Sequence, residues 1–140
     1  DGQAPEGCYF VTPDRMNPNS RFHLSFDLGY PNQFDRRNGR TGSALMVHGS
    51  DVSIGCYAMG DAAIEEIWTL CRRALLGGQP FFRVHLFPFP LTEKNLAAHA
   101  GSPWAAFWRS LQPIHDAFET TRQPPDVTLD INGNYIISPQ

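Results

Sequence analysis

The sequence predicts one mainly β domain with two or three peripheral helices, and three patterns support this fold class. Residues 7–12 are aromatic and β-branched and are followed by Pro13, which is typical of a strand. Residues 22–28 place an apolar side chain at every second position, which indicates a strand with one buried face. Asn132-Gly133 stands between two short apolar runs and predicts a hairpin over residues 127–137.

Further signals fill in the β structure. Residues 16–20, MNPNS, have the composition of a turn. Apolar runs at 43–48 and 81–87 predict two more strands. Because the first strand begins near residue 7 with nothing upstream to pair with it, we expect the single domain over residues 1–140 to lack N-terminal strands.

Three segments carry helix signals. Asp61 is expected to cap a helix whose apolar residues recur every three or four positions until Gly77-Gly78 ends it. Thr92 is expected to cap a short second helix. Ser102-Pro103 predicts the start of a third helix, which Pro113 should kink or split.

Composition excludes several functional classes. The chain has 140 residues, of which 41% are hydrophobic and 18% charged, so it is globular. A net charge of −3 argues against a nucleic-acid-binding protein. Apolar runs are too short for a membrane span, and no signal peptide is expected in this sequence. The three cysteines include no C-x-x-C pair, so a zinc knuckle is not expected. A disulfide between Cys8 and Cys71 is one possibility that the sequence leaves undecided.

The stretch VHGSDVSIGCYAM, residues 47–59, suggests a cysteine nucleophile. Such a group needs a base, an exposed backbone bend and donors for an oxyanion. His48 lies eight positions upstream of Cys56 and is the nearest candidate base. Gly55 permits a tight bend beside the sulfur, and the backbone from Ser53 to Tyr57 supplies N–H groups near it.

Other interpretations of these residues stay open at this point. Cys56 is also compatible with a buried core thiol, and His48 with a core histidine. A zinc site made of Cys56, His48 and His23 is a third alternative, although the spacing fits no common pattern. The run of glycine, serine and aspartate between His48 and Cys56 weakens the core interpretation, because a core strand seldom needs such residues.

The motif and its surroundings resemble the YkuD-type L,D-transpeptidase catalytic domain in its YafK-like subgroup. The resemblance rests on APEGCYFVTP, on FHLSFDLGYPN and on GRTGSALMVHGSDVSIGCYAM, and it covers residues 4–89 best. It implies a β-sandwich or barrel-like fold. It also implies a metal-free, cofactor-free enzyme of the bacterial cell envelope, periplasmic or otherwise outside the cytoplasm, that acts on peptidoglycan stem peptides and is open to carbapenem-type inhibitors.

The resemblance also implies roles for individual residues. Cys56 would attack an L,D peptide bond between meso-diaminopimelate and a D-residue, with His48 as base. The Gly49 carbonyl would hold the other imidazole nitrogen. Backbone N–H groups around Gly55, Cys56 and Tyr57 would bind the oxyanion. An amine acceptor would then give transfer and water would give cleavage.

Two departures from the family pattern bear on the acceptor. Ile54 stands where many members have histidine, and Ala58 stands where they have arginine or asparagine. Their absence favours the hydrolytic alternative, in which the enzyme releases a peptidoglycan-linked lipoprotein. A non-catalytic stem-peptide binding module is the alternative from another class.

Three further residues are weaker candidates for the site. Arg40 precedes the motif strand and is suited to pairing a substrate carboxylate in a bidentate manner, against the alternative of a solvated arginine. Tyr57 follows the cysteine directly and is expected to line the cleft. His23 shares one strand face with Ser25 and Asp27, which is either a solvent face or a wall of the cleft.

Overall fold

Helices contribute more of the chain than strands do. The computed structural model describes residues 3–138, of which about 35% are helical and about 23% lie in strands. The strands are β1 (Gly7–Val11), β2 (Met16–Ser20), β3 (His23–Asp27), β4 (Met46–His48), β5 (Tyr57–Ala58), β6 (Phe82–Leu86), β7 (Val127–Leu129) and β8 (Tyr135–Ile137). The helices are α1 (Gln33–Arg37), α2 (Asp61–Leu76), α3 (Glu93–Ala98) and α4 (Ala105–Thr121), and Pro13–Arg15 form a 3-10 turn.

The prediction of a mainly β domain is therefore wrong in its balance. The architecture is compatible with a small α/β domain and is not a clear β-sandwich or barrel. The reason is element length, because α2 and α4 have 16 and 17 residues whereas β1, among the longest strands, has five.

The described residues group into two compact units. Residues 3–5 and 9–84 form the first unit, and residues 6–8 and 85–138 form the second. The candidate site belongs to the first unit, which is built around a four-stranded sheet with the strand order β2-β3-β4-β5. A separate two-stranded sheet pairs β1 with β6.

The four-stranded sheet is mixed. β2, β3 and β4 pair antiparallel, with Ser25 opposite His48, and β5 joins β4 in parallel, with Val47 opposite Tyr57. The prediction of a turn at MNPNS is wrong, because these residues form β2 at the edge of the sheet. An edge strand tolerates Pro18, because one side of the strand has no neighbour that needs a backbone donor. The β2–β3 register shifts between Asn17 and Ser20, the segment that contains this proline.

Helix α2 covers one face of this sheet. Ile64 is fully buried on its inner face, and Trp68 Nε1 donates a hydrogen bond to the Ser25 carbonyl at 3.3 Å. Burial of an aliphatic side chain such as Ile64 contributes about 1.5–3 kcal/mol. The helix ends at Gly77, as the sequence predicted, but its N-cap is Gly60 with φ 76° and not Asp61, which is the first helical residue.

The second unit packs the β7–β8 hairpin against α4. Helix α4 runs as one element through Pro113, so the prediction of a split there is wrong. Leu111 and Ile114 on either side of this proline are fully buried, and that packing holds the helix together. The hairpin itself forms as predicted, although its connection spans residues 130–134 and is longer than a two-residue Asn-Gly turn.

The predicted helix caps in the second unit differ in outcome. Thr92 caps α3 by accepting a hydrogen bond from the Asn95 N–H group at 3.2 Å, as the sequence predicted. Helix α4 begins at Ala105 with Trp104 as its N-cap, two residues later than Ser102-Pro103 indicated. Ser102 Oγ accepts from the Trp104 N–H group in the turn that precedes the helix.

Candidate active site

A cleft of about 610 Å³ opens in the first unit, and both His48 and Cys56 line it. Its wall combines the end of β4 with the segments that precede β4 and β5 and with a few residues from elsewhere in the unit. The lining residues are Gln3, Phe22, Tyr30, Thr41, Gly42, Ser43, Ala44, Leu45, His48, Val52, Ser53, Ile54, Gly55 and Cys56.

The geometry of His48 determines which of its ring nitrogens is free. The residue ends β4 and is 1% exposed, and the Phe22 ring lies 4.6 Å from the imidazole. Its Nδ1 lies 2.5 Å from the Gly49 carbonyl oxygen. Because an amide carbonyl only accepts hydrogen bonds, Nδ1 must carry the proton. In the neutral ring, Nε2 therefore keeps its lone pair and can act as a base.

His48 and Cys56 lie on neighbouring segments of the chain and line the same cleft. His48 lies opposite Ala58, and Cys56 precedes Ala58 by two residues. Cys56 lies immediately before β5, and its Sγ contacts the backbone of Met46 in β4, two residues before His48.

The Cys56 thiol rests on the backbone of the segment that leads into β4. Its Sγ accepts a hydrogen bond from the Met46 N–H group at 3.4 Å and lies 3.6 Å from the Ala44 carbonyl oxygen, to which the S–H donates. Within the described part of the chain, the imidazole of His48 is not among its hydrogen-bond partners. Ala44 has φ 56°, a left-handed conformation that is costly for a non-glycine residue and that aims its carbonyl at the sulfur.

Ser53 holds the turn that carries the nucleophile. Its Oγ accepts from the Cys56 N–H group at 2.7 Å and from the Gly55 N–H group at 3.2 Å, and it donates to the Cys56 carbonyl at 2.8 Å. Gly55 has φ 143°, which favours glycine at this bend. Two of the backbone donors that the resemblance assigns to an oxyanion are thus occupied by the Ser53 hydroxyl in the resting structure.

Position 49 requires glycine because no space is left for a side chain. A Cβ atom at this position would lie 2.6 Å from the Phe22 carbonyl oxygen, 2.7 Å from Asp61 Oδ1 and 3.0 Å from Ile64 Cγ2. No side chain fits there without moving the backbone, so the carbonyl that holds the imidazole is fixed by close packing on three sides.

The three weaker candidates lie outside the lining of the cleft. Arg40 donates to fully buried Asp35 at 2.9 Å, so its charge compensates a buried carboxylate. Tyr57 donates its hydroxyl hydrogen to the Pro5 carbonyl at 2.5 Å. His23 is exposed and pairs with Glu65 of α2 at 2.7 Å.

Sequence reasoning missed several groups around the site. Phe22 was placed only on the apolar face of a strand, although its ring packs on the imidazole. The Ala44 and Met46 backbone groups carry no sequence signal at all, because any residue has them. Asp61 carried a helix-start signal, but its hydrogen bond to the Ser50 N–H group at 2.7 Å joins positions eleven residues apart.

The other two cysteines differ from Cys56 in environment. None of the three cysteines forms a disulfide, so Cys8 and Cys71 do not pair. Burial raises the pKa of the Cys8 thiol to about 12 and also raises the pKa of Cys71. Both are therefore protonated at neutral pH, and neither lines the cleft.

Neither a metal cluster nor a membrane-spanning helix is found in the part of the chain that the structure describes. Across residues 3–138, no three histidine, cysteine or acidic side chains converge in a way that could hold a metal ion. Over the same residues, every helix is too short or too polar to cross a bilayer.

Comparison of the sequence with known proteins identifies the family to which this chain belongs. No family model matches the chain. Two curated relatives, both named "Putative L,D-transpeptidase YafK" and found in Escherichia coli strain K12 and in Escherichia coli O157:H7, are each 43% identical to it over 138 residues. The alignment covers 99% of this chain and 56% of each relative, so the chain spans about half the length of these proteins. On this similarity, the chain belongs to the family of YafK-like L,D-transpeptidase domains.

Proposed function

We propose that this domain catalyses cysteine-dependent acyl transfer on peptidoglycan stem peptides, with Cys56 as the nucleophile and His48 as its base. The observation that carries the proposal is that both side chains line one cleft, with His48 Nδ1 bound to the Gly49 carbonyl and Nε2 left as the basic nitrogen. The family membership supports the same chemistry.

The first half-reaction forms a thioester. His48 Nε2 removes the thiol proton as Cys56 Sγ bonds to the carbonyl carbon of an L,D peptide bond, and the carbonyl π electrons move to oxygen. When the tetrahedral intermediate collapses, the carbon–nitrogen bond breaks and the imidazolium gives its proton to the departing amine. The second half-reaction repeats these steps with an incoming amine or water, and the proton returns to the sulfur.

Two small rearrangements are needed before attack. The thiol must leave the Ala44 carbonyl, which costs little because S–H is a weak donor. The Ser53 hydroxyl must also turn away from the Gly55 and Cys56 N–H groups if these are to bind the oxyanion. Both changes are side-chain rotations at exposed or half-buried positions, and resting sites are often looser than the reacting complex.

Hydrolysis is a second candidate, and the acceptor side of the site favours it. Ala58 lies directly opposite His48 in the β4–β5 register and presents a methyl group. Ile54 is 95% exposed and apolar. Neither residue can hold an amine acceptor by hydrogen bonding, whereas water needs no such side chain. Release of a peptidoglycan-linked lipoprotein would be one outcome of this reaction.

The proposed setting is the bacterial cell envelope, outside the cytoplasm, where stem peptides are found. The proposed partners are these peptides and lipoproteins attached to them. Carbapenem-type inhibitors would act as substrate mimics, because they present a strained acyl carbon to the same thiol.

Incubation with purified muropeptides and with lipoprotein-linked sacculi tests the proposal. Mass spectrometry of the products should find new crosslinks if the acceptor is an amine, and shortened stems or released lipoprotein if the acceptor is water. Both products should vanish in Cys56→Ala and persist in Cys71→Ala, the matched control for loss of a thiol. Muropeptides that bind but stay chemically unchanged would overturn the enzyme proposal in favour of a binding module.

A further inference from the structure

We propose that Asp61 is the acidic member of this site, a positioning residue that acts on His48 through the Gly49–Ser50 peptide bond. This inference rests on the proposed function, because it assigns Asp61 a part in preparing the same base. The carboxylate of Asp51 is also nearby in sequence, but in the described part of the chain it is Asp61, not Asp51, that accepts a hydrogen bond from this peptide.

One peptide unit joins the two side chains. The Gly49 carbonyl oxygen lies 2.5 Å from His48 Nδ1, and the Ser50 N–H group donates to Asp61 Oδ1 at 2.7 Å. These two groups belong to the same planar amide, whose C=O and N–H point in opposite directions when the bond is trans. The order of atoms is therefore carboxylate, amide, imidazole, which we call the Asp61–peptide–His48 chain.

The carboxylate strengthens the amide as an acceptor. A hydrogen bond to the N–H of an amide shifts electron density toward its oxygen, so linked hydrogen bonds reinforce one another. The effect is larger when the acceptor at the end of the chain is ionised. The Gly49 carbonyl thus gains part of the character that a carboxylate supplies directly in other catalytic triads.

The surrounding backbone prevents this peptide from flipping. Ser50 has φ 62°, an unusual conformation for serine, which the hydrogen bonds on both sides stabilise. The His48 carbonyl accepts from Met59 N–H and the Ser50 carbonyl from Gly60 N–H, each at 2.9 Å. The neighbouring peptides are therefore anchored, and the Gly49 carbonyl stays directed at the ring.

The position of Asp61 suits an ionised carboxylate. It is the first residue of the 16-residue helix α2, where the partial positive charge of the helix N-terminus favours an anion. Its Oδ1 accepts from the Ser50 N–H group, which lies outside that helix. Since Asp61 is exposed, solvent screens part of its charge, and the expected effect is modest.

Three variants test the inference. Asp61→Asn keeps an oxygen that accepts from Ser50 but removes the charge, and Asp61→Ala removes both. Asp51→Asn is the matched control, because it removes one negative charge from an exposed position in the loop after β4. The first readout is the rate of Cys56 alkylation by iodoacetamide at neutral pH, located by peptide mass spectrometry. The second is the proton NMR signal of the His48 Nδ1–H group, and thermal unfolding reports whether each variant is folded.

We expect Asp61→Asn to slow alkylation about fivefold, because a hydrogen bond to an ionised partner is roughly twice as strong as a neutral one. The Nδ1 proton signal should move upfield in the same variant, and Asp51→Asn should leave both readouts at their wild-type values. The inference is overturned if the Nδ1 signal does not move in Asp61→Asn, or if Asp51→Asn has the same effects. The NMR readout needs no substrate, so it separates failure of this inference from failure of the proposed reaction.

Discussion

Replacing Gly49 with alanine is the perturbation whose outcome the packing specifies most fully. The new Cβ would lie 2.6 Å from the Phe22 carbonyl oxygen, about 0.8 Å inside the 3.4 Å at which ordinary contacts begin. The other two obstacles are Asp61 Oδ1 and the side chain of fully buried Ile64. The Phe22 oxygen belongs to the backbone and Ile64 is fully buried, so the loop after β4 has to move even if the Asp61 side chain rotates away.

The magnitude follows from two opposing terms. Overpacking a filled site costs about 1–3 kcal/mol. Replacing glycine by alanine gains about 0.4–1 kcal/mol by restricting the unfolded chain. The free energy of unfolding of Gly49→Ala should therefore fall by about 1.3 kcal/mol, the midpoint of a range from about 0 to about 2.6 kcal/mol. Displacement of the Gly49 carbonyl from His48 should also slow acylation of Cys56 by about 10- to 100-fold, since a 1 Å misplacement can cost that much.

Urea denaturation and the rate of carbapenem acylation measure the two effects. Gly101→Ala is the matched control, because no atom lies within 4 Å of a Cβ built there. The free energy of unfolding of Gly101→Ala should be at least that of wild type, and its acylation rate should equal that of wild type. If Gly49→Ala has wild-type stability and a wild-type acylation rate, the argument from close packing around the imidazole's partner is refuted.

Three other perturbations have defined outcomes. Ser53→Ala should speed amide hydrogen exchange at Cys56 about tenfold, because the Cys56 N–H group loses a 2.7 Å hydrogen bond. An exchange rate that NMR finds unchanged would contradict the role of Ser53 in holding this turn. Cys8→Ala should remove part of the loss of stability at alkaline pH. The folded thiol has a pKa of about 12 and the unfolded thiol one near 9.0, so between these pH values the wild-type free energy of unfolding falls by roughly 1.4 kcal/mol per pH unit because of this group. Urea titrations of the variant should lack this fall. Arg40→Gln should lower the free energy of unfolding by about 2–4 kcal/mol without changing the acylation rate, because buried Asp35 loses its positively charged partner, although it keeps the hydrogen bonds from Tyr9 and Asn32. A slower rate in folded protein would instead support substrate binding by this arginine.

Local patterns allowed many of the elements to be predicted from sequence. The strict alternation over residues 22–28 corresponds to β3, and the Gly77-Gly78 stop and the Thr92 cap both lie where their chemistry indicated. Composition misled at MNPNS, since an edge strand can accept the residues of a turn. The overall class was wrong for a related reason: counting strands did not reveal that two helices would be three times as long as any of them.

The candidate site was harder to predict because its support comes from distant residues. His48, Gly49 and Cys56 are close in sequence, so their chemistry could be considered together. The salt bridge from Arg40 to Asp35 could not be anticipated, since burial of Asp35 depends on tertiary packing. The hydrogen bond from Ser50 to Asp61 depends on how α2 docks against the sheet, and no local pattern encodes that docking.

The most direct test of Cys56 as the nucleophile is the intact mass of the protein after exposure to a carbapenem. We expect a gain of one inhibitor molecule per chain, located at Cys56 by peptide mapping. Cys56→Ala should gain nothing, Cys71→Ala should react like wild type, and His48→Gln should react at least about 100-fold more slowly. A wild-type chain that never forms the adduct, or an adduct that survives in Cys56→Ala, would contradict the assignment of Cys56 as the nucleophile.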